Sequence, residues 1–245
     1  MNEIERFKAE VAANIKGLQE DKDVQALSRI WVREIAPHKY TYNFTWMGRP
    51  VIQFPQDILA MQELLWQIKP DLIIETGVAH GGSLIFYSSM LELIGGDRAV
   101  IGIDIDIREH NRREIEAHPM AKRIKLVQGS SISNETLEKV RELAKPYQRI
   151  MVCLDSNHTH EHVLKELQMY SSFVKKDSYL VVFDTLVEDM PDALSGGRPW
   201  GKGNNPKTAV WEFLKTNSRF EIDRDLESKL LITVAPDGYL KCVKD

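Results

Sequence analysis

Residues 71–83 read DLIIETGVAHGGS: an apolar run, an acid, and then three glycines within six positions. Leu72, Ile73 and Ile74 form a continuous apolar stretch, which suits a strand covered on both faces. The glycines favour a tight turn whose backbone a ligand can approach closely. Beyond them, Leu84, Tyr87, Leu91 and Ile94 fall on one helical face. Strand, glycine turn and helix open a βαβ unit, and the pattern recurs downstream. AVIGID (99–104), RIKLVQ (123–128), RIMVCLD (149–155) and SYLVVFD (178–184) are short β-rich runs separated by helical periodicity, as at Val163, Leu167, Tyr170 and Val174. Such alternation predicts an α/β fold, a mostly parallel sheet with helices on both faces.

The two ends of the chain read differently. RFEIDRD, KLLITVA and GYLKCVK are strand-like runs joined by turns with no helix between them, so antiparallel C-terminal strands are expected. Before residue 70 the pattern is helical over 2–20, over 24–36 and from Pro55, which suits a first helical position, through Ile68. Residues 39–54, KYTYNFTWMGRPVIQF, are aromatic and irregular. With no linker in between, residues 1–69 are read as an N-terminal helical cap on a domain of residues 70–245.

Composition narrows the function by exclusion. The chain has 245 residues, 43% of them apolar, enough for a packed core. Lys and Arg number 32 against 36 Asp and Glu, a net charge of −4 without a basic run, which argues against nucleic acid as a partner. Cys153 and Cys242 have no metal-ligand spacing and are too few for a disulfide scaffold. The first twenty residues lack the apolar core of a signal peptide, and no membrane span is evident. The reading is a cytoplasmic protein with reduced thiols.

Chemistry-bearing residues gather at the expected carboxyl ends of the strands, where open parallel sheets bind ligands. Glu75, two residues before Gly77, disfavours a pyrophosphate and favours a cationic ligand such as the amino group of S-adenosylmethionine; a plain strand-to-helix turn is the alternative. Asp104, followed by Ile105, ends the second strand where a carboxylate accepts hydrogen bonds from a ribose diol, although a surface turn would also account for it. Ser130 and Ser131 supply small polar groups where an adenine edge would lie, or else a helix cap. Asp155 and Asp184 close the fourth and fifth strands and would meet there as an oxygen seat for Mg2+. His158 stands nearby, and a neutral imidazole can take a proton from a metal-bound hydroxyl. Residues 158–162 also match the HxxEH zinc pattern, which needs both histidines on one helical face. Residues 186–206 form a long loop of the kind that serves as a lid; its Arg198 and Trp200, together with His160, are candidate contacts for a small hydroxylated substrate.

The segments YNFTWMGRPVIQFPQDILAMQELLWQIKPDLIIETGVAHGGS, GIDID, LDSNHTHEHV, VVFDT and RPWGKGNNPKTAVWEFL together resemble the cephalosporin hydroxylase family, from about Tyr40 to Leu214. The resemblance implies a Rossmann-like class I methyltransferase fold, bound S-adenosylmethionine, a Mg2+ site similar to that of catechol O-methyltransferase, and commonly a homo-oligomer. It implies methyl transfer to a hydroxyl of a small molecule or sugar. An oxygenase component, as the family name suggests, and a subunit active only with a partner protein are the alternatives. Carried over by motif, Glu75, Gly77, Ala79, Gly81 and Ser83 line the methionine end of the cofactor. Asp104 takes the ribose and Ser131 the adenine side, Ile105 belongs to the same cofactor-binding set, and Asp155 serves both cofactor and metal. Asp184 is the second metal ligand. His158 falls where catechol-type enzymes place a lysine base. One departure stands out: relatives present two adjacent oxygen-bearing side chains at the end of the fifth strand, whereas Phe183 and Thr185 flank Asp184. Phe183 cannot ligate a metal, and Thr185 offers only a weak hydroxyl.

Overall fold

The structure, a computed structural model, describes residues 1–191 and 196–245. Two helices open the chain, α1 (Glu3–Glu20) and α2 (Lys22–Ile35). Asn2 caps the first through a capping box with Glu5, and Asp21 caps the second by accepting from the amides of Asp23 and Val24. Two short 3-10 turns lead into β1 (Phe44–Trp46) and β2 (Arg49–Val51), a small antiparallel hairpin. The sequence reading left this stretch irregular. The signal it missed is Met47-Gly48, which supplies the two positive φ values, 46° and 87°, that a two-residue hairpin turn requires.

From there the elements alternate: α3 (Pro55–Ile68), β3 (Leu72–Thr76), α4 (Gly82–Ile94), β4 (Ala99–Asp104), α5 (Glu109–Glu116), β5 (Ile124–Gln128), α6 (Asn134–Ala144), β6 (Ile150–Leu154), α7 (His160–Tyr170) and β7 (Tyr179–Val182). The chain ends with α8 (Pro206–Thr216), β8 (Phe220–Ile222), α9 (Arg224–Leu230) and β9 (Tyr239–Cys242). The seven-stranded sheet runs β5-β4-β3-β6-β7-β9-β8, parallel through β7, with β9 and β8 antiparallel. All five parallel strands stand where the apolar runs predicted them.

Strand alternation sends side chains to two cores, one on each face of the sheet. Ile73, Val100, Met151 and Val181 pack with Met61, Leu65 and Leu91 on one face; Leu72, Ile101, Val152 and Leu180 pack with Val140, Leu167 and Val210 on the other. The C-terminal expectation needs correction. KLLITVA is no strand, and a helix, α9, stands between β8 and β9. Asp223 caps that helix by accepting from the Leu226 amide. The following residues are held as a loop by buried Asp57, which accepts from the Thr233 hydroxyl, the Val234 amide and the Tyr239 hydroxyl. Local β-propensity lost to hydrogen bonds from a helix start about 175 residues earlier in the chain. Among the described residues, no helix is long and apolar enough to cross a membrane.

Candidate active site

The chain passes from β3 leftward to β4 and β5, then crosses to the other side of β3 for β6. A crevice opens between β3 and β6 at such a switch point. Gly77 lies at its floor with φ 91°, and a Cβ there would stand 1.9 Å from the carbonyl oxygen of Asp155. The loop after Gly77 turns through positive φ at Ala79 (44°) and Gly81 (79°) before α4 begins. The β1/β2 hairpin presses on this turn, since a Cβ at Gly82 would meet the Pro50 carbonyl oxygen at 2.0 Å. Arg49 donates to the His80 carbonyl, and buried Asn111 donates to the Ala79 carbonyl. Neither side chain was singled out from the sequence, because their partners are backbone atoms that only the folded loop brings near.

Above this floor lies a cleft of about 650 Å3. Gly77, Ala79, Ser83, Asp104, Ile105, Ser131, Asp155, His158 and Asp184 all line it. Asp104 Oδ2 accepts from the Val78 amide at 2.8 Å and Oδ1 from the Asp106 amide at 3.0 Å, which fixes the carboxylate at the rim. Ile105 beside it is 72% exposed, an apolar side chain left open within the cleft. Ser131 lies deeper, its hydroxyl 3.0 Å from His162 Nε2 and its carbonyl accepting from the Tyr170 hydroxyl.

Glu75 departs from expectation. It is 1% exposed and does not line the cleft, because strand alternation turns it into the same core as Ile73. Its Oε2 accepts from the Ser83 hydroxyl at 2.7 Å, while its Oε1 has no partner. Burial, with a smaller push from Asp104, raises its carboxyl from 4.5 to about 8. Glu75 therefore meets the cleft through Ser83, which lines it.

At the other end of the cleft, ligand atoms of Asp155, His158 and Asp184 all lie within 4.8 Å of one another. His158 Nε2 is 3.3 Å from Asp184 Oδ2. Burial raises the Asp155 carboxyl well above the usual carboxylate range, and the negative charges of Asp184, Glu75 and Glu166 add to it. A site that gathers acids suits a cation, and the two carboxylates are oxygen donors of the kind Mg2+ takes, with His158 beside them. The flanking residues add nothing: Phe183 is buried, and the Thr185 hydroxyl donates to the Pro236 carbonyl, so the weak third ligand considered at Thr185 is absent.

One further expectation is corrected. His160 does not face the cleft; its Nδ1 lies 2.8 Å from the Thr208 hydroxyl and its Nε2 3.2 Å from Glu212, both on α8. The HxxEH pattern is not a zinc site, because α7 begins only at His160. His158 turns to Asp184 and His162 to Ser131, Ser156 and Glu166. The same separation leaves one histidine at the acidic seat, so the two-histidine, one-carboxylate set of an oxygenase is not assembled there.

Arg198 and Trp200 return from the long loop to the cleft; residues 192–195 of that loop lie outside the described residues. The Trp200 ring meets the His158 ring edge-on at 4.9 Å, and Arg198 lies 5.4 Å over Trp200. Glu188 secures the loop by accepting from the Gly203 amide and the Asn205 side chain. A second cavity of about 490 Å3 adjoins the cleft, and Tyr42, Ile52, Asp184, Arg198 and Trp200 belong to both. Tyr42 and Ile52 come from the stretch read as irregular, whose density of aromatic residues was the available signal.

Known proteins resemble this chain to differing degrees. The rhamnosyl O-methyltransferase of Mycobacterium tuberculosis is 29% identical over 213 residues, 83% of this chain and 82% of that protein. That of Mycobacterium leprae is 29% identical over 211 residues, 83% of this chain and 87% of the relative. An apo structure of CmcI superposes with a TM-score of 0.61 at 21% identity, covering 83% of this chain and 78% of the other, and shows the same fold. The family model described as Rhamnosyl O-methyltransferase/CmcI matches residues 38–243, nearly the whole of the sheet, the cleft and the hairpin, and the chain belongs to that family.

Proposed function

We propose that this protein is an S-adenosylmethionine-dependent O-methyltransferase that methylates a hydroxyl of a sugar or sugar-bearing small molecule, assisted by Mg2+. The observation that carries the reading is the junction of two cavities at one acidic, histidine-bearing seat. The cleft over Gly77 has the volume and the polar and apolar walls of a cofactor site, and the second cavity offers an acceptor access to the same point. The names of the mycobacterial relatives support a sugar hydroxyl as the acceptor.

In this reading the cofactor supplies an electrophilic methyl group and the divalent cation lowers the pKa of the acceptor hydroxyl. The protein's own residues do the rest. The amides of the Gly77–Gly81 turn and the Ser83 hydroxyl face the methionine end, Asp104 the ribose, Ile105 the adenine face and Ser131 its edge. Asp155 and Asp184 hold the cation, with water completing the oxygen shell. His158 accepts the hydroxyl proton at Nε2, and Trp200, packed on its ring, keeps water from the seat. Methyl transfer needs little covalent help, so alignment across the junction supplies most of the rate.

Residues 1–69 serve as a cap that supplies Tyr42 and Ile52 to the acceptor side. We place the protein in the cytoplasm as a homo-oligomer; the exposed Ile4 and Phe7 on α1 and Leu27, Ile30 and Trp31 on α2 support self-association. Light scattering on the purified chain tests that assembly. For the chemistry, transfer of labelled methyl groups to a panel of rhamnosides and other glycosides is the assay. His158→Ala should lower turnover on the order of 100-fold with cofactor binding intact; unchanged turnover removes His158 from the role.

A further inference from the structure

The second cavity differs in charge from the rest of the molecule. Among the described residues, three cations line it, Lys39, Arg198 and Lys202, against one acid, Asp184, which faces His158. The chain as a whole carries a net charge of −4, so this mouth runs against the overall balance. Among the described residues, none of the three cations forms an ion pair, whereas Arg49, Arg98 and Lys207 elsewhere do. Two of them rest on aromatic rings instead: Lys39 lies 5.8 Å over Tyr42 and Arg198 5.4 Å over Trp200. Stacking holds a cation in place without neutralising it. Lys39 also sits in the left-handed region, φ 49° and ψ 47°, at the joint between two 3-10 turns, an uncommon conformation for a residue with a side chain.

Unpaired cations converging on a concave surface focus the field and concentrate anions there. An anion on the acceptor would meet repulsion from Asp155 and Asp184 if it entered the seat itself. Arg198, shared by both cavities, stands where the second cavity meets that seat. We infer that the acceptor carries an anionic group, a carboxylate, phosphate or sulfate, held by Lys39, Arg198 and Lys202 while a neutral hydroxyl of the same molecule reaches His158. The inference rests on the methyl-transfer reading for the hydroxyl, and adds the charge class of the substrate.

Binding rather than turnover tests it. Calorimetry would compare 4-nitrophenyl glycosides of glucose and galactose, each as neutral sugar, uronic acid and 6-phosphate, with and without S-adenosylhomocysteine. At about threefold for each exposed charge contact, three contacts make the charged member of at least one pair bind tenfold or more tightly. That advantage shrinks in 0.5 M salt, where screening is stronger, and falls in Lys39→Gln/Lys202→Gln. The inference is overturned if no charged glycoside outbinds its neutral partner, or if the preference is unchanged in the double variant. Binding of S-adenosylhomocysteine is read separately in the same titrations. Its absence would sink the methyl-transfer reading, whereas loss of the charge preference with cofactor binding intact would sink only the anion site.

Discussion

Replacing Glu75 by Gln removes the one acid that β3 carries into the core, and with it a pH dependence of stability. Burial pushes this carboxyl up from 4.5 to about 8, with Asp104 adding to the rise. In the unfolded chain it ionises near its ordinary value, so between pH 4.5 and 8 the folded state keeps a proton that the unfolded state has released. The stabilisation from this group is therefore complete below the unfolded value, falls as pH rises, and levels off above about 8. At about 1.4 kcal/mol per pH unit, the rise from about pH 5.5 to 7.5 costs the wild type about 3 kcal/mol. For a chain of this size that is roughly 6–10 °C in Tm. Asp57, raised to about 6, and Asp155, also raised, slope the wild-type curve in the same direction, so the difference between wild type and Glu75→Gln is the quantity to follow. Gln keeps an acceptor for Ser83 and carries no charge at any pH. Thermal unfolding followed by circular dichroism across this pH range should show the variant gaining steadily on the wild type. Parallel curves for the two proteins would refute the burial argument.

Two other substitutions probe the site. Gly77→Ala places a Cβ 1.9 Å from the Asp155 carbonyl at a φ of 91°, and should destabilise by more than about 2 kcal/mol and abolish binding of S-adenosylhomocysteine, read by thermal shift and calorimetry. Asp184→Asn removes one of two carboxylates from the seat; Mg2+ affinity measured by calorimetry should fall about tenfold or more with Tm unchanged within a few degrees, and unaltered affinity would place the cation elsewhere.

The strands and the glycine turn were legible because each is a local pattern. Three apolar residues between Asp71 and Glu75 specify a buried parallel strand, and the glycines after them mark the ligand turn. That Asp104, Asp155 and Asp184 line one cleft was legible for a related reason: in a parallel sheet each strand ends on the same edge, so a polar residue there is placed by topology alone. What the sequence could not supply was the direction in which a side chain turns. Glu75 and Ser83 read as equal partners in the cleft, yet strand alternation buries Glu75 while Ser83, on the first turn of α4, lines the cleft. His160 read as a substrate contact beside His158, yet the start of α7 between them turns it to Thr208 and Glu212 on α8. KLLITVA has the composition of a strand, yet its first two residues end α9 and Asp57, distant in the chain, helps hold the rest as a loop.

By itself, then, the sequence determined the five parallel strands with the helices between them, the family and the acidic edge of the sheet, since these depend on periodicity and on residue types at strand ends. Tertiary structure alone decided which acids face the cleft and which face the core, that His160 turns from the cleft to α8, and that Tyr42 and Ile52 join Trp200 around a second cavity. The physical reason is that hydrogen bonding and burial act between residues far apart in the chain. Asp57 with Thr233, Arg49 with His80 and His158 with Asp184 are each pairs that no local window contains.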